Sequence, residues 1–295
     1  MPELPDIVLY CEHLERRVRG AVLEQVRVMN PNLLRTAVPA LSVAAGRRVL
    51  AVRRVGKRIV FALEGELFLV LHLMIAGRLR WKPAGAGRLG AAGSAAFDFS
   101  SGTLILTEAG TKKRASLHVV EGAAGVAALD PGGLEVLECD LAAFAARLRL
   151  ENHTITDPRI LSGIGNAYSD EILHRARMSP LVQTQRLSDD TFAQLFAATQ
   201  SCLREWTERL RMEAGDAFPE KVTAFRPDFA VHGRFGQPCP VCSSPVQRIR
   251  YADNETNYCA TCQNGGTLLA DRSLSRLLRG DWPRTLAELE DLKKF

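Results

Sequence analysis

Cys239-Pro-Val-Cys242 and Cys259-Ala-Thr-Cys262 stand sixteen residues apart in this chain, and their spacing is that of a single tetrahedral zinc site. Each Cys-x-x-Cys forms a tight knuckle that aims two sulfurs at one metal. The intervening residues suffice for a two-stranded hairpin that returns the second pair. Four protein ligands leave no coordination position open to water, so the zinc implied here is structural and activates nothing. The alternative is two disulfides. Any chemistry the chain performs has to lie outside this segment.

The 295 residues are enough for two domains, and a 46% hydrophobic content supports real cores. Nothing reads as a membrane span. The start Met1-Pro2-Glu3-Leu4-Pro5-Asp6 lacks the basic stretch and apolar run of a signal peptide, which predicts a cytoplasmic protein. There Cys11, Cys139 and Cys202 are expected as reduced thiols, and the odd total of seven cysteines argues against a disulfide framework. Lys plus Arg number 38 against 33 Asp plus Glu, a net +5 that permits nucleic-acid binding without requiring it. The basic residues cluster: Arg47-Arg48, Arg53-Arg54, Lys57-Arg58 and Lys112-Lys113-Arg114 in the first half, and Arg234, Arg248 and Arg250 around the zinc segment. An ordinary solvated face looks much the same.

Asp6 to Arg19 carries apolar residues at Ile7, Leu9, Cys11, Leu14 and Val18, which predicts a helix stopped by Gly20. From Val22 to about Val120 the texture is short β-branched or apolar runs between Gly-rich turns: residues 48–52, 59–63, 67–72 and 103–107. Ala84 to Ala96 reads as a surface loop and Glu121 to Gly133 as an interdomain linker. Beyond it, residues 141–150, 166–177 and 187–211 read as helices, the last broken or bent. Short amphipathic helices are expected at 273–278 and 283–294. The fold class is therefore α+β and multidomain. Its parts are an N-terminal all-β domain with a leading helix over 1–122, a linker over 123–136, a helical domain over 137–228, a zinc hairpin over 229–265 and a helical tail over 266–295.

Three pieces in this order resemble the formamidopyrimidine-DNA glycosylase and endonuclease VIII family: the start Pro2-Glu3-Leu4-Pro5-Asp6, the segment Leu161-Ser-Gly-Ile-Gly-Asn-Ala-Tyr168, and the zinc hairpin introduced by His232-Gly-Arg-Phe-Gly-Gln-Pro238. The resemblance runs from Pro2 to about Gln263. It implies that the β domain is a sandwich and that the helical domain contains a helix-two-turns-helix element. It also implies a DNA-repair enzyme that flips an oxidised base out of the duplex, excises it and nicks the strand. Once Met1 is removed, the secondary amine of Pro2 can attack a sugar C1′, and its ordinary pKa of about 8 leaves a usable neutral fraction. Glu3 is the matching proton donor. Lys57 stands where the family uses a lysine on the lesion phosphate, a task suited to a flexible ammonium. Gly165 and Asn166 open a helix whose N–H groups point at a phosphate. Damaged DNA is the implied partner and zinc the only cofactor; a monomer is expected, with no membrane contact and no small-molecule cofactor.

The chain departs from its family at several points. The arginine at the hairpin tip is matched here by Asn254, which brings no charge, and Arg248 and Arg250 on the same hairpin are candidates to compensate. In His72-Leu-Met-Ile-Ala-Gly77, Ile75 occupies the position of the intercalating methionine with Met74 beside it, and either can wedge between base steps. The partner Arg-Arg-Phe-Gly run is missing, and Lys112-Lys-Arg-Ala-Ser116 stands nearby without an aromatic. The tail beyond Gln263 is a further departure. Two functions follow: a bifunctional glycosylase and AP lyase working through a Pro2 Schiff base, or a damaged-DNA-binding protein of the same fold whose catalysis has decayed.

Overall fold

The structure, a computed structural model, describes residues 1–87, 90, 92–109, 112–150, 155, 157, 159–223, 225–251, 254–270 and 282–292. The chain divides into two compact units, Met1–Gly133 with Arg204–Ala224, and Leu134–Leu203 with Phe225–Phe295.

The first unit begins with helix α1 (Leu4–Val18), which buries Leu4, Ile7, Tyr10, Cys11, Leu14 and Val18 at helical spacing. Its start is a capping box. The Glu3 amide donates to Asp6 Oδ2 at 2.9 Å, and the Glu3 carboxylate accepts from the Asp6 amide. Eight antiparallel strands follow: β1 (Val22–Val28), β2 (Arg47–Val55), β3 (Arg58–Leu63), β4 (Leu67–His72), β5 (Gly77–Lys82), β6 (Gly93–Phe99), β7 (Gly102–Glu108) and β8 (Ser116–Glu121). They run in the order β5-β7-β6-β1-β2-β3-β4-β8. β1 and β2 pair only at Val22 with Arg48 and Leu23 with Arg47, so the sheet folds there into two four-stranded halves of a sandwich. Phe61 of one half stacks on Phe97 and Phe99 of the other, with ring centroids 6.1 and 6.0 Å apart. The expected strands are all present and a residue or more longer, except 67–72, whose bounds agree.

Three expectations are corrected in this unit. The last residues of the expected surface loop, Gly93 to Ala96, open the buried strand β6. The first half of the supposed linker forms helix α2 (Gly122–Ala127), because Val126 has an apolar face to cover and packs with Val55, Val60 and Val70. Residues 204–224, counted with the helical domain in the sequence, pack into the first unit. Phe218 lies 5.8 Å from the Tyr10 ring and 6.3 Å from Trp81, Arg17 donates to the Asp216 carbonyl at 2.7 Å, and Arg211 pairs with Glu12.

The second unit contains α3 (Leu141–Leu150), α4 (Asn166–Arg175) and the first part of α5 (Asp189–Ala214). α5 is a single 26-residue helix, not a broken one, since it contains no Gly or Pro to interrupt its hydrogen bonds. The hairpin strands β9 (Gln247–Tyr251) and β10 (Asn254–Tyr258) precede α6 (Ala260–Asn264), which ends on Gly265 in the left-handed conformation. In the tail, α7 (Leu286–Leu292) packs Leu286 and Leu289 against Tyr258, Leu268 and Ile249. The other tail helix, expected at 273–278, lies outside the described residues.

Between β4 and β5 the chain turns so tightly that a Cβ on Gly77 would sit 2.3 Å from the Leu73 carbonyl oxygen, which accepts the Gly77 amide at 2.9 Å. Gly77→Ala should therefore lower the unfolding free energy by about 2–3 kcal/mol, read as a shift in denaturant midpoint at constant slope.

Candidate active site and nucleic-acid interface

The first unit gathers Pro2, Glu3, Lys57, Met74 and Ile75; the second holds Gly165, Asn166, Arg248, Arg250, Asn254 and the four cysteines. At the N-terminus Pro2 is buried, Glu3 is 2% exposed and Lys57 7%. The amino group of Met1 is held below its ordinary pKa, chiefly by burial. Glu3 and Asp6 pull it upward, while Arg78 and Lys57 push it down. Lys57 is likewise lowered by burial, against the opposing attraction of Glu3. An amine, two carboxylates and two cations thus act on one another at the start of the chain. Arg78 is fixed there by donating to the Val222 carbonyl at 2.5 Å and the Gly77 carbonyl at 2.7 Å.

Sequence reasoning missed Arg78 and also His72. Burial, with Arg58, Lys57 and His118 pushing the same way, lowers the His72 imidazole to about 4, so it is neutral at pH 7. Its Nε2 is buried and has no hydrogen-bond partner among the described residues. The only sequence signal was a histidine at a strand end. Past it, Met74 adopts a left-handed φ of 52° and Ile75 is 55% exposed.

In the second unit two adjacent carboxylates on α4 hold the zinc segment, and neither was singled out from the sequence. Glu171 accepts from the amides of Ala230, Val231 and His232 at 2.7, 2.9 and 2.9 Å. Asp170 Oδ2 meets His232 Nδ1 at 2.8 Å and the Asn257 amide at 3.0 Å, and burial pushes its carboxyl up to about 7. The first knuckle closes through Cys239 N to Ser244 O and Ser243 N to Cys239 O, with Ser243 at φ 62°. The second sits at the start of α6, where Cys259 Sγ accepts from Cys262 N. The four Sγ atoms lie within 4.8 Å of one another, with 3.9 Å between Cys239 and Cys262 and 3.4 Å between Cys242 and Cys259. A tetrahedral zinc thiolate centre asks for about 3.8 Å, so the residues fit one zinc. His174 Nε2 lies 3.3 Å from Cys239 Sγ and orients it.

The hairpin register decides what Arg248 and Arg250 can do. Cross-strand partners share a face, and Arg250 opposes Glu255 while Arg248 opposes Asn257; Asn254 opposes Tyr251 on the other face. Glu255 pairs with Arg250 at 2.9 Å and with Arg248 at 3.6 Å. Arg248 also lies 4.0 Å over the Phe235 ring. Both arginines are thus engaged on the face opposite Asn254. Asn166, at the start of α4, donates to the Glu255 carbonyl at 2.6 Å, and Gly165 is the N-cap.

Residues 1–114 match the family model of the formamidopyrimidine-DNA glycosylase N-terminal domain, and residues 236–265 that of the zinc finger found in FPG and IleRS. The formamidopyrimidine-DNA glycosylase of Thermus thermophilus is 32% identical over 277 residues, covering 90% of this chain and all of the relative. The chain belongs to the formamidopyrimidine-DNA glycosylase family. Within it, an uncharacterised formamidopyrimidine-DNA glycosylase-like protein of Mycobacterium tuberculosis is 42% identical over 153 residues, 52% of this chain and 95% of the relative. The crystal structure of the Thermus thermophilus family member superposes with a TM-score of 0.75 at 31% identity, covering 89% of this chain and 98% of that one. A complex of the Lactococcus lactis family member with DNA containing an abasic site shares the fold, with a TM-score of 0.77 at 22% identity over 89% and 99% of the two chains. Among the described residues no helix is long and apolar enough to cross a membrane.

Glu171→Ala leaves three amides of the segment entering the zinc site without an acceptor and should cost about 3 kcal/mol, with weakened zinc retention under chelator; Glu171→Gln keeps an acceptor for Val231 and His232 but sets an NH2 against the Ala230 amide, and should recover only part of both. Because folding lowers the His72 pKa, the unfolded chain binds the extra proton between about pH 6.5 and 4, so stability falls as pH falls through that range. Denaturation midpoints of His72→Gln should show a shallower decline there.

Proposed function

We propose that the protein is a DNA-repair glycosylase with AP lyase activity whose nucleophile is the amine of Pro2, exposed by removal of Met1. The observation that carries the reading is that Pro2, Glu3 and Lys57 are all buried, at a place where the adjoining Met1 amine is influenced by Glu3, Asp6, Lys57 and Arg78. At Met1 burial and the two cations favour the neutral amine, and the same surroundings would favour the neutral, nucleophilic form of a Pro2 amine exposed there.

The Pro2 nitrogen attacks C1′ of the damaged nucleoside. The glycosidic bond breaks, and the base leaves with its electron pair and takes up a proton. Glu3 takes up the proton that the Pro2 nitrogen loses on bonding to C1′; opening of the sugar ring then breaks the C1′–O4′ bond, O4′ receives that proton from Glu3, and the nitrogen lone pair forms the C1′ iminium. Loss of a C2′ proton then expels the 3′ phosphate, and water releases the amine. Lys57, its pKa lowered by burial against the attraction of Glu3, and the neutral His72, whose Nε2 has no partner among the described residues, are suited to the phosphate beside the lesion. In the second unit the start of α4 at Gly165 and Asn166 supplies amide donors to the DNA backbone. Ile75, with Met74, is the wedge that takes the place of the extruded base. The zinc holds the hairpin and takes no part in the reaction. We further propose a cytoplasmic monomer.

One observation favours the decayed-binder reading. Glu255 engages both hairpin arginines, so the missing charge at Asn254 is not restored by either. Borohydride trapping separates the two. The active enzyme should carry no Met1 by mass spectrometry and should give a covalent adduct on duplexes with oxidised bases or an abasic site. N-terminal acetylation should abolish that adduct, and Pro2→Gly should weaken it. Glu3→Gln, which keeps an acceptor for the Asp6 amide, should slow base excision about 100-fold with binding little changed. Absence of an adduct even on abasic DNA would establish the decayed binder.

A further inference from the structure

Glu108 closes β7 with its carboxylate almost wholly buried, at 2% exposure, and among the described residues no cation pairs with it. A carboxylate removed from water is costly unless donors surround it. Here they do. Oε1 accepts from the amides of Arg114 and Ala115, both at 2.8 Å, and Oε2 accepts from the Ser94 hydroxyl at 2.9 Å. Ser94 and Ala115 are themselves buried, so the anion joins β6, β7 and the approach to β8 inside the unit. Two of its three donors are backbone groups of a segment that has no strand or helix hydrogen bonds of its own.

The strand register says where that segment runs. Gly77 pairs with Glu108, and His72 pairs with Ser116. The end of β4 and start of β5 therefore lie beside the end of β7 and start of β8, at the same end of the sandwich. The connection from β4 to β5 carries Met74 and exposed Ile75; that from β7 to β8 carries Lys112, Lys113 and Arg114, none of them paired with a carboxylate among the described residues. An ammonium group driven into a base stack would lose its water for no partner, whereas at the groove edge it meets phosphate.

We infer that Glu108 is a positioning residue: its buried carboxylate fixes the backbone at 114–115, so that Lys112, Lys113 and Arg114 form a cationic arm gripping the DNA backbone beside the Met74–Ile75 turn. The inference takes from the proposed function only that the ligand is DNA. It does not need Pro2 to react.

The test is equilibrium binding of the full-length zinc protein to an undamaged duplex and to one bearing a non-cleavable abasic analogue, across a series of salt concentrations. Replacing Lys112, Lys113 and Arg114 together by Ala should flatten the salt slope by roughly 2–3 units, about 0.9 per lost phosphate contact. Glu108→Ala should reproduce most of that loss with the three cations intact, weaken binding about tenfold, and add almost nothing in the triple-Ala background. Glu108→Gln, which retains an acceptor for both amides, should restore binding to within about threefold of the native protein. Should Glu108→Ala fail to fold, Glu108→Asp, one methylene short, should show the same loss in smaller measure. An unchanged slope in the triple variant, or a Glu108 effect fully additive with it, would overturn the inference. Binding that behaves as expected in a protein that never traps a lesion would overturn the glycosylase reading and leave the arm standing.

Discussion

The reciprocal hydrogen bonds between Glu3 and Asp6 at the start of α1 tie the N-terminal residues to the helix on which the first unit's sandwich packs. They end the helix's run of unsatisfied amides and fix the direction in which the first residues enter the unit. The same Glu3 that caps the helix also balances Lys57 and the terminal amine electrostatically. A capping box is ordinarily a surface device. Here both of its carboxylates are buried, and the cost of burying them is offset by the cations and amides they meet. Structural start signal and chemistry are one arrangement, so a change at Glu3 touches both.

Buried carboxylates that accept from backbone amides recur in both units. Glu108 fixes the approach to β8, and Glu171 receives three successive amides from the segment that leads into the zinc knuckles. In each case an irregular stretch, whose amides lack sheet or helix partners, is held in one conformation by an anion on a regular element. This is a way to place loops accurately on a rigid scaffold. For the zinc hairpin it means that metal and α4 act together: the thiolates close the knuckles, while Asp170 and Glu171 fix the hairpin to the helix that begins at Asn166.

The hairpin also shows how a two-residue period limits compensation. Arg248 and Arg250 lie close to Asn254 in sequence, yet strand alternation turns them to the other face, where both pair with Glu255. A charge lost at one strand position is not recovered from a neighbour of opposite parity. The face shared by Asn254, Thr256 and Tyr258 is instead covered toward its base by the tail, through Tyr258, Leu268 and Leu286 and a bond from Leu269 N to the Tyr258 hydroxyl. The residues beyond Gln263 thus complete the packing of the zinc segment.

By itself the sequence determined the zinc ligands, the β-rich and helical halves, the leading helix and the start of α4. These rest on local spacing, on apolar periodicity and on residues such as glycine whose conformations are their own signature. Tertiary structure alone decided that residues 204–224 join the first unit, where Phe218 finds Tyr10 and Trp81, and that Val126 makes a helix of the expected linker. It alone revealed Arg78, His72, Glu108 and Glu171. Their importance lies in burial and in partners far away along the chain, and a charged or polar residue carries no local mark of whether water or a distant amide will meet it.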